Sequence, residues 1–180
     1  MRRHLAWTLL LAAGCAAAPD PASTPASGVS VVNASSTGLN ANLAASGEPS
    51  EDVIRAPQDQ VLQALARVYT GLGLAAAVDP RGNAVGTSTI QLRGRIENRP
   101  NSVYFNCGIT AVGQQAADVH RVTIQVRSSV APAQGGGTTV RTLAEGSARA
   151  IDGGSTTPVR CASTGELEKR IASLIQTHLQ

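Results

Sequence analysis

Two hydrophobic periods alternate along the chain from position 56 onward. Val61, Leu62, Leu65, Val68, Tyr69 and Leu72 recur at helical spacing and put one apolar stripe on a helix. Pro57 suits its first turn, and Gly71 and Gly73 end it. Leu74 to Val78 is a short apolar run that predicts a strand, and Asp79 to Asn83 carries strong turn chemistry. Val85, Thr87 and Thr89 then alternate in one phase, and Ile90, Leu92, Gly94 and Ile96 in the other. That slip predicts one strand with a bulge. After the turn Asn98–Asn101, Val103 to Phe105 predicts a strand, and residues 108–118, without a period, a loop. Val122, Ile124 and Val126 alternate with polar neighbours, and Val140 to Ile151 answers across Gly135-Gly136-Gly137 as the second arm of a hairpin. The last stripe, Leu167, Ile171, Leu174, Ile175 and Leu179, predicts a C-terminal helix, with Ser163 as N-cap and Glu166 completing a capping box.

Helix, an uninterrupted run of strands, helix: this order predicts an α+β two-layer sandwich. About five antiparallel strands would carry the N-terminal and C-terminal helices on one face. The domain is expected over residues 57–180. Residues 15–56 are rich in Ala, Ser, Pro, Gly and Asn and read as a disordered linker, because they bury too little apolar area to offset backbone entropy. Val29 to Val32 could at most add an edge strand. About forty flexible residues span roughly 35 Å.

Residues 1–14 have another character. Arg2 and Arg3 precede a short apolar stretch, Leu5 to Ala13, too short for a permanent membrane span, as in a secretory signal peptide. With Ala-Ala-Gly leading into Cys15, the segment resembles a bacterial lipoprotein signal. That resemblance implies cleavage before Cys15 and acylation of its thiol and new amine. Two departures stand: Ala12 takes the place where leucine is preferred, and Leu11 lies one step early. The alternative is an ordinary cut after Ala16-Ala17-Ala18 with Cys15 passive. In proteobacterial lipoproteins, Asp after the acylated cysteine favours inner-membrane retention. Ala16 at that position implies the outer membrane, facing the periplasm.

Export changes the reading of the other cysteines. Cys107 and Cys161 are an even pair in an oxidising compartment, each beside turn residues. A disulfide between them would contribute roughly 4 kcal/mol in the chain-entropy model. Two buried thiols are the alternative.

The core must be built from Val, Ile, Leu and Ala, since the chain has one Trp, one Phe and two Tyr, and Trp7 leaves with the signal. The formal charge of +3 includes Arg2 and Arg3, and Lys169 is the sole lysine. No basic cluster with an aromatic platform points to nucleic acid.

The segment 56–90, APQDQVLQALARVYTGLGLAAAVDPRGNAVGTSTI, resembles the opening of helix-grip domains in a lipoprotein family of the outer-membrane β-barrel assembly machinery. Shared features are a helix led by Pro and Val, a Leu-Gly end, a short strand, an Asp-centred turn, then Gly and a strand. The motifs NCG at 106–108 and CASTGELEKRI at 161–171 are similar to bacterial lipoproteins without an assigned role. The resemblance implies a helix-grip-like fold. The assembly-machinery lipoproteins bind a partner through a long unstructured N-terminal region, whereas the linker here is shorter and has no aromatic anchors.

Chemistry is sparse. His120 and His178 have no ligand at metal spacing, and His178 suits a helix C-terminus. There is no nucleophile elbow, phosphate loop or Cys-x-x-Cys pair. The expectation is therefore a non-enzyme without cofactor or metal. It would be attached to the membrane through a lipid anchor and act as a binding or scaffold module for an envelope protein. The alternative is a carrier holding a small apolar ligand in a groove between sheet and C-terminal helix. Arg93 and Arg95 on one strand, with Arg127, Arg141 and Arg149 on others, mark an exposed basic sheet face. That face is either plain solvated surface or the contact for an acidic partner.

Overall fold

The computed structural model describes residues 48–79, 81–87, 90–92, 94–151 and 157–180. The expected signal peptide, the expected lipidation site Cys15, the part of the expected linker up to residue 47, Thr89 and the arginine expected at the basic face, Arg93, lie outside the described residues.

The described residues form an α+β fold, with a large antiparallel sheet and three helices, one of them C-terminal. Its centre is the long hairpin of β8 (Arg121–Pro132) and β9 (Thr138–Arg149), paired over twelve positions. Each long strand has two short neighbours placed end to end. β3 (Ala84–Gly86) and β4 (Ile90–Leu92) flank β8; β1 (Ser50–Ile54) and β10 (Val159–Ser163) flank β9. β2 (Ala77–Val78) extends the sheet beyond β3, and β7 (Phe105–Asn106) beyond β10. Among the described residues the sheet therefore has eight strands, where the hydrophobic pattern predicts about five.

The differences have physical causes. β1 lies inside the expected linker; its alternation, Asp52 and Ile54 inward and Glu51 and Val53 outward, is too short and polar to stand out from its surroundings. β10 carries little signal either, because only Cys161 along it is buried. The expected strand from Val85 to Ile96 is broken instead. β3 and β4 pair with β8, while β5 (Arg95–Ile96) turns away to form a two-stranded hairpin with β6 (Arg99–Pro100). The turn between them puts Glu97 and Asn98 at φ 49° and 64°, left-handed values that cost a non-glycine residue energy. Of the strand expected over Val103 to Phe105, only Phe105 lies in one, β7, while Val103 ends a 3-10 turn (Asn101–Val103); the expected loop at 108–118 contains the start of a short helix, α2 (Ala116–Val119).

The two long helices, α1 (Gln58–Gly71) and α3 (Glu166–His178), pack against each other. α1 also contacts β8 and β3, and α3 contacts β9 and β1. Their stripes, with Val61, Leu65, Val68 and Tyr69 on α1 and Leu167, Ile171 and Ile175 on α3, are fully buried with the inward row of the hairpin, Val122, Ile124, Val126, Val140 and Ala144. Leu174 is only partly buried. The cap of α3 differs from the expected box: Gly165, at φ 82°, occupies the N-cap. The Ser163 hydroxyl instead donates to the buried Glu168 carboxylate (2.7 Å) and accepts from the Gly165 N–H.

Two glycines are required by close approach. A Cβ at Gly146 would lie 3.1 Å from the Phe105 ring and 3.3 Å from Cys161 Cβ. At Gly137 it would lie 2.5 Å from the Ile54 carbonyl oxygen. The first leaves room beside β7 and β10, and the second lets β1 run close to the hairpin loop.

Candidate functional site

Cys107 and Cys161 form a disulfide, with Cα atoms 4.2 Å apart. β7 and β10 pair through Asn106 and Ala162, so the two cysteines take the next positions along that ladder. Both are buried in the core. The bond holds the outermost short strand onto the sheet.

A chain of hydroxyls crosses the interior. Tyr69 Oη lies 2.9 Å from Ser128 Oγ, which lies 2.8 Å from Thr142 Oγ1, all buried. Burial pushes the Tyr69 phenol up to about 12, the Ser128 hydrogen bond opposes this, and the nearby Glu168 carboxylate adds to it. Tyr69 thus stays a neutral hydroxyl at physiological pH. Its role is to satisfy Ser128 and Thr142 inside an apolar layer, where unpaired hydroxyls would be costly.

The arginines separate into three settings. Arg95 lies on the small β5–β6 hairpin, where its guanidinium donates to the Asn98 carbonyl at 2.6 Å. The same hairpin is clamped to α3 by Arg170, whose two nitrogens reach both Glu97 oxygens at 3.0 and 3.2 Å. Hydrogen bonding to Glu97 raises the Arg170 pKa. Arg95 therefore does not share a stripe with the hairpin arginines.

Arg127 and Arg141 lie on the outward row of β8–β9, each with a carboxylate: Arg127 with Asp79 at 3.6 Å and Arg141 with Glu51 at 3.2 Å. Around Arg127 is an open hollow of about 540 Å³ lined by Val78, Asp79, Gly86, Gln125, Leu143 and Glu145 among others. Arg149 has a different setting. It stands directly across the ladder from Arg121. Arg160 on β10 pairs with Ser147, one step diagonal to Arg149. Sequence reading misses Arg121 and Arg160. Arg121 follows the odd-numbered alternation of β8 and is within reach of the pattern; Arg160 needs the unexpected strand β10.

Among the described residues, no group of three or more His, Cys, Asp or Glu could hold a metal, and no helix is long and apolar enough to cross a membrane. No protein-family model matches this chain. No curated protein matches its sequence either.

Proposed function

We propose that this chain is an envelope lipoprotein, anchored through Cys15, whose helix-grip-like two-layer domain is a non-catalytic binding or scaffold module. The observation that carries the reading is the asymmetry of the β8–β9 hairpin. Its inward row is buried under α1 and α3, while Arg121, Gln125, Arg127, Arg141, Glu145 and Arg149 on the outward row are exposed. An exposed sheet face with a shallow hollow and a surplus of arginines fits an acidic partner protein in the envelope, because complementary charge speeds encounter and fixes orientation. A flexible tether would raise the local concentration of such a module near its partners. The carrier reading has less support: Leu65, Tyr69, Ile124, Leu167, Ile171 and Ile175, which would border a groove under α3, are packed into one another.

The test is photo-crosslinking in cells from Gln125 and Leu143, which face the hollow, with the anchored full chain. One discrete crosslinked product, lost on Arg127→Glu with Arg141→Glu while the chain stays folded at the assay temperature, is the expected result. Unchanged crosslinking after that reversal removes the outward row from recognition. Mass spectrometry of the native N-terminus should show an acylated Cys15, and a free N-terminus at Ala16 or later would remove the anchor.

A further inference from the structure

Exposed aliphatic side chains gather at one end of the sheet. Six large hydrophobic side chains are exposed among the described residues, and four come from this region: Ile109 (46%), Val112 (78%), Val119 (36%) and Ile151 (67%). Three segments supply them. Val112 sits at the tip of a turn closed by the Ile109–Gln115 bridge and by hydrogen bonds from Thr110 N–H to Gln114 O (2.8 Å) and from Gly113 N–H to Thr110 O (2.9 Å). A turn tied in this way holds the side chain outward. Val112, Val119, His120 and Ile151 line one open hollow of about 250 Å³.

Positive charge adjoins this patch. Arg121 directly follows His120, and Arg149 precedes Ile151 by two positions. Arg121, Arg149 and Arg160 are exposed, and among the described residues none has an ion-pair partner, unlike Arg127, Arg141 and Arg170. Like charges directly across a ladder are unfavourable. Arg121 facing Arg149 is therefore a local cost that an anion would relieve.

We propose that this end of the sheet docks onto an anionic phospholipid bilayer. Val112, Val119 and Ile151 enter the headgroup–acyl boundary, and Arg121, Arg149 and Arg160 meet lipid phosphates. Aliphatic tips ringed by arginine match that boundary. Each arginine near such a surface contributes about a fivefold gain in partitioning. Docking at this end would stand the hairpin upright, with the hollow beside Arg127 at the side and accessible to the partner proposed above. The two proposals are tested at different residues and fail separately.

The test uses the mature chain from Cys15, which on that reading keeps no tryptophan of its own, so that one engineered tryptophan reports. Val112→Trp is mixed with phosphatidylcholine vesicles containing or lacking phosphatidylglycerol, with bromine on the acyl chains near the headgroup. Gln134→Trp, in the hairpin loop roughly 35 Å away, is the control. Blue-shifted, quenched emission from position 112 only with phosphatidylglycerol, with position 134 unquenched, is expected. Arg121→Glu with Arg149→Glu should remove the phosphatidylglycerol-dependent quenching at position 112. Absence of quenching at 112, equal quenching at 112 and 134, or equal quenching without phosphatidylglycerol would overturn the proposal. So would a response to soluble polyglutamate but not to vesicles, which would assign the patch to an acidic protein.

Discussion

The two faces of the β8–β9 hairpin are built from the same strands and carry opposite tasks. Inward stand Val122, Ile124, Val126, Ser128 and Val130, faced by Val140, Thr142, Ala144, Gly146 and Ala148. Outward stand Arg121, Thr123, Gln125, Arg127 and Ser129, faced by Arg141, Leu143, Glu145, Ser147 and Arg149. Side chains alternate at every residue, so a one-position slip would exchange the two sets. The inward set is fixed by volume, down to the missing Cβ at Gly146. The outward set is fixed by little more than solubility and charge, which leaves it available for recognition. The difference predicts large stability effects from inward changes and small, sign-dependent ones from outward changes.

The largest effects should come from the layer the inward row packs against. Ile175→Ala removes a fully buried side chain of α3 and should cost about 2–5 kcal/mol. The half-buried Leu174 should cost clearly less on the same change. Cys161→Ala should cost about 2–5 kcal/mol, read from urea midpoints under non-reducing conditions. Losses below about 0.5 kcal/mol at Ile175 would mean that α3 is peripheral and that the inward row is stabilised some other way.

How much of this is readable in the sequence follows from the same contrast. The hairpin and both long helices stand out because each buries one regular stripe over at least ten residues. Residues 84–106 do not. There the chain makes two- and three-residue strands, and the reason β5 leaves the sheet lies in distant contacts, among them the Arg170 grip on Glu97. Ser163 looks like an N-cap because the spacing to Glu166 is right, but its hydroxyl is engaged by Glu168, two residues further on. The demand at Gly146 is invisible in the pattern, because the space it leaves is filled by Phe105 and Cys161 from other strands. Of the outward arginines, the alternation marks Arg127, Arg141 and Arg149, while their division into paired and unpaired groups depends on Asp79 and Glu51, from turn and linker segments.

A middle-sized effect probes the polar exception on the inward row. Tyr69→Phe removes the hydroxyl that meets Ser128 but leaves the Ser128–Thr142 contact, so it should cost about 1 kcal/mol near neutral pH. The pH dependence is more diagnostic. The folded phenol is raised from 10.0 to about 12. The stability this represents is complete below pH 10 and is lost as pH rises through about 12, because the unfolded chain releases the proton first. The wild-type chain should therefore lose stability steeply between pH 10 and 12, and Tyr69→Phe should lose less over that window. Parallel decline of the two would show that Tyr69 ionises as freely in the folded protein as in the unfolded chain.

The smallest effects lie on the outward row, and their sign is the informative part. Arg127→Glu would place a carboxylate beside Asp79 and should lower stability by a few tenths of a kcal/mol. Arg149→Glu would turn the Arg121–Arg149 repulsion into an attraction across the ladder and should raise stability by a similar amount. In melting temperature the two variants should move in opposite directions by about 1–3 °C. Because both sites are exposed, 0.5 M salt should shrink the separation. Thermal melts at low and high salt read all of this in one series. A loss above about 1 kcal/mol in both variants would mean that the outward arginines belong to the framework, and the contrast between the two faces would fail. Opposite shifts that collapse in salt would leave Arg149 as a charge that destabilises its own sheet, which is the cost expected of a residue kept for contact with an anion.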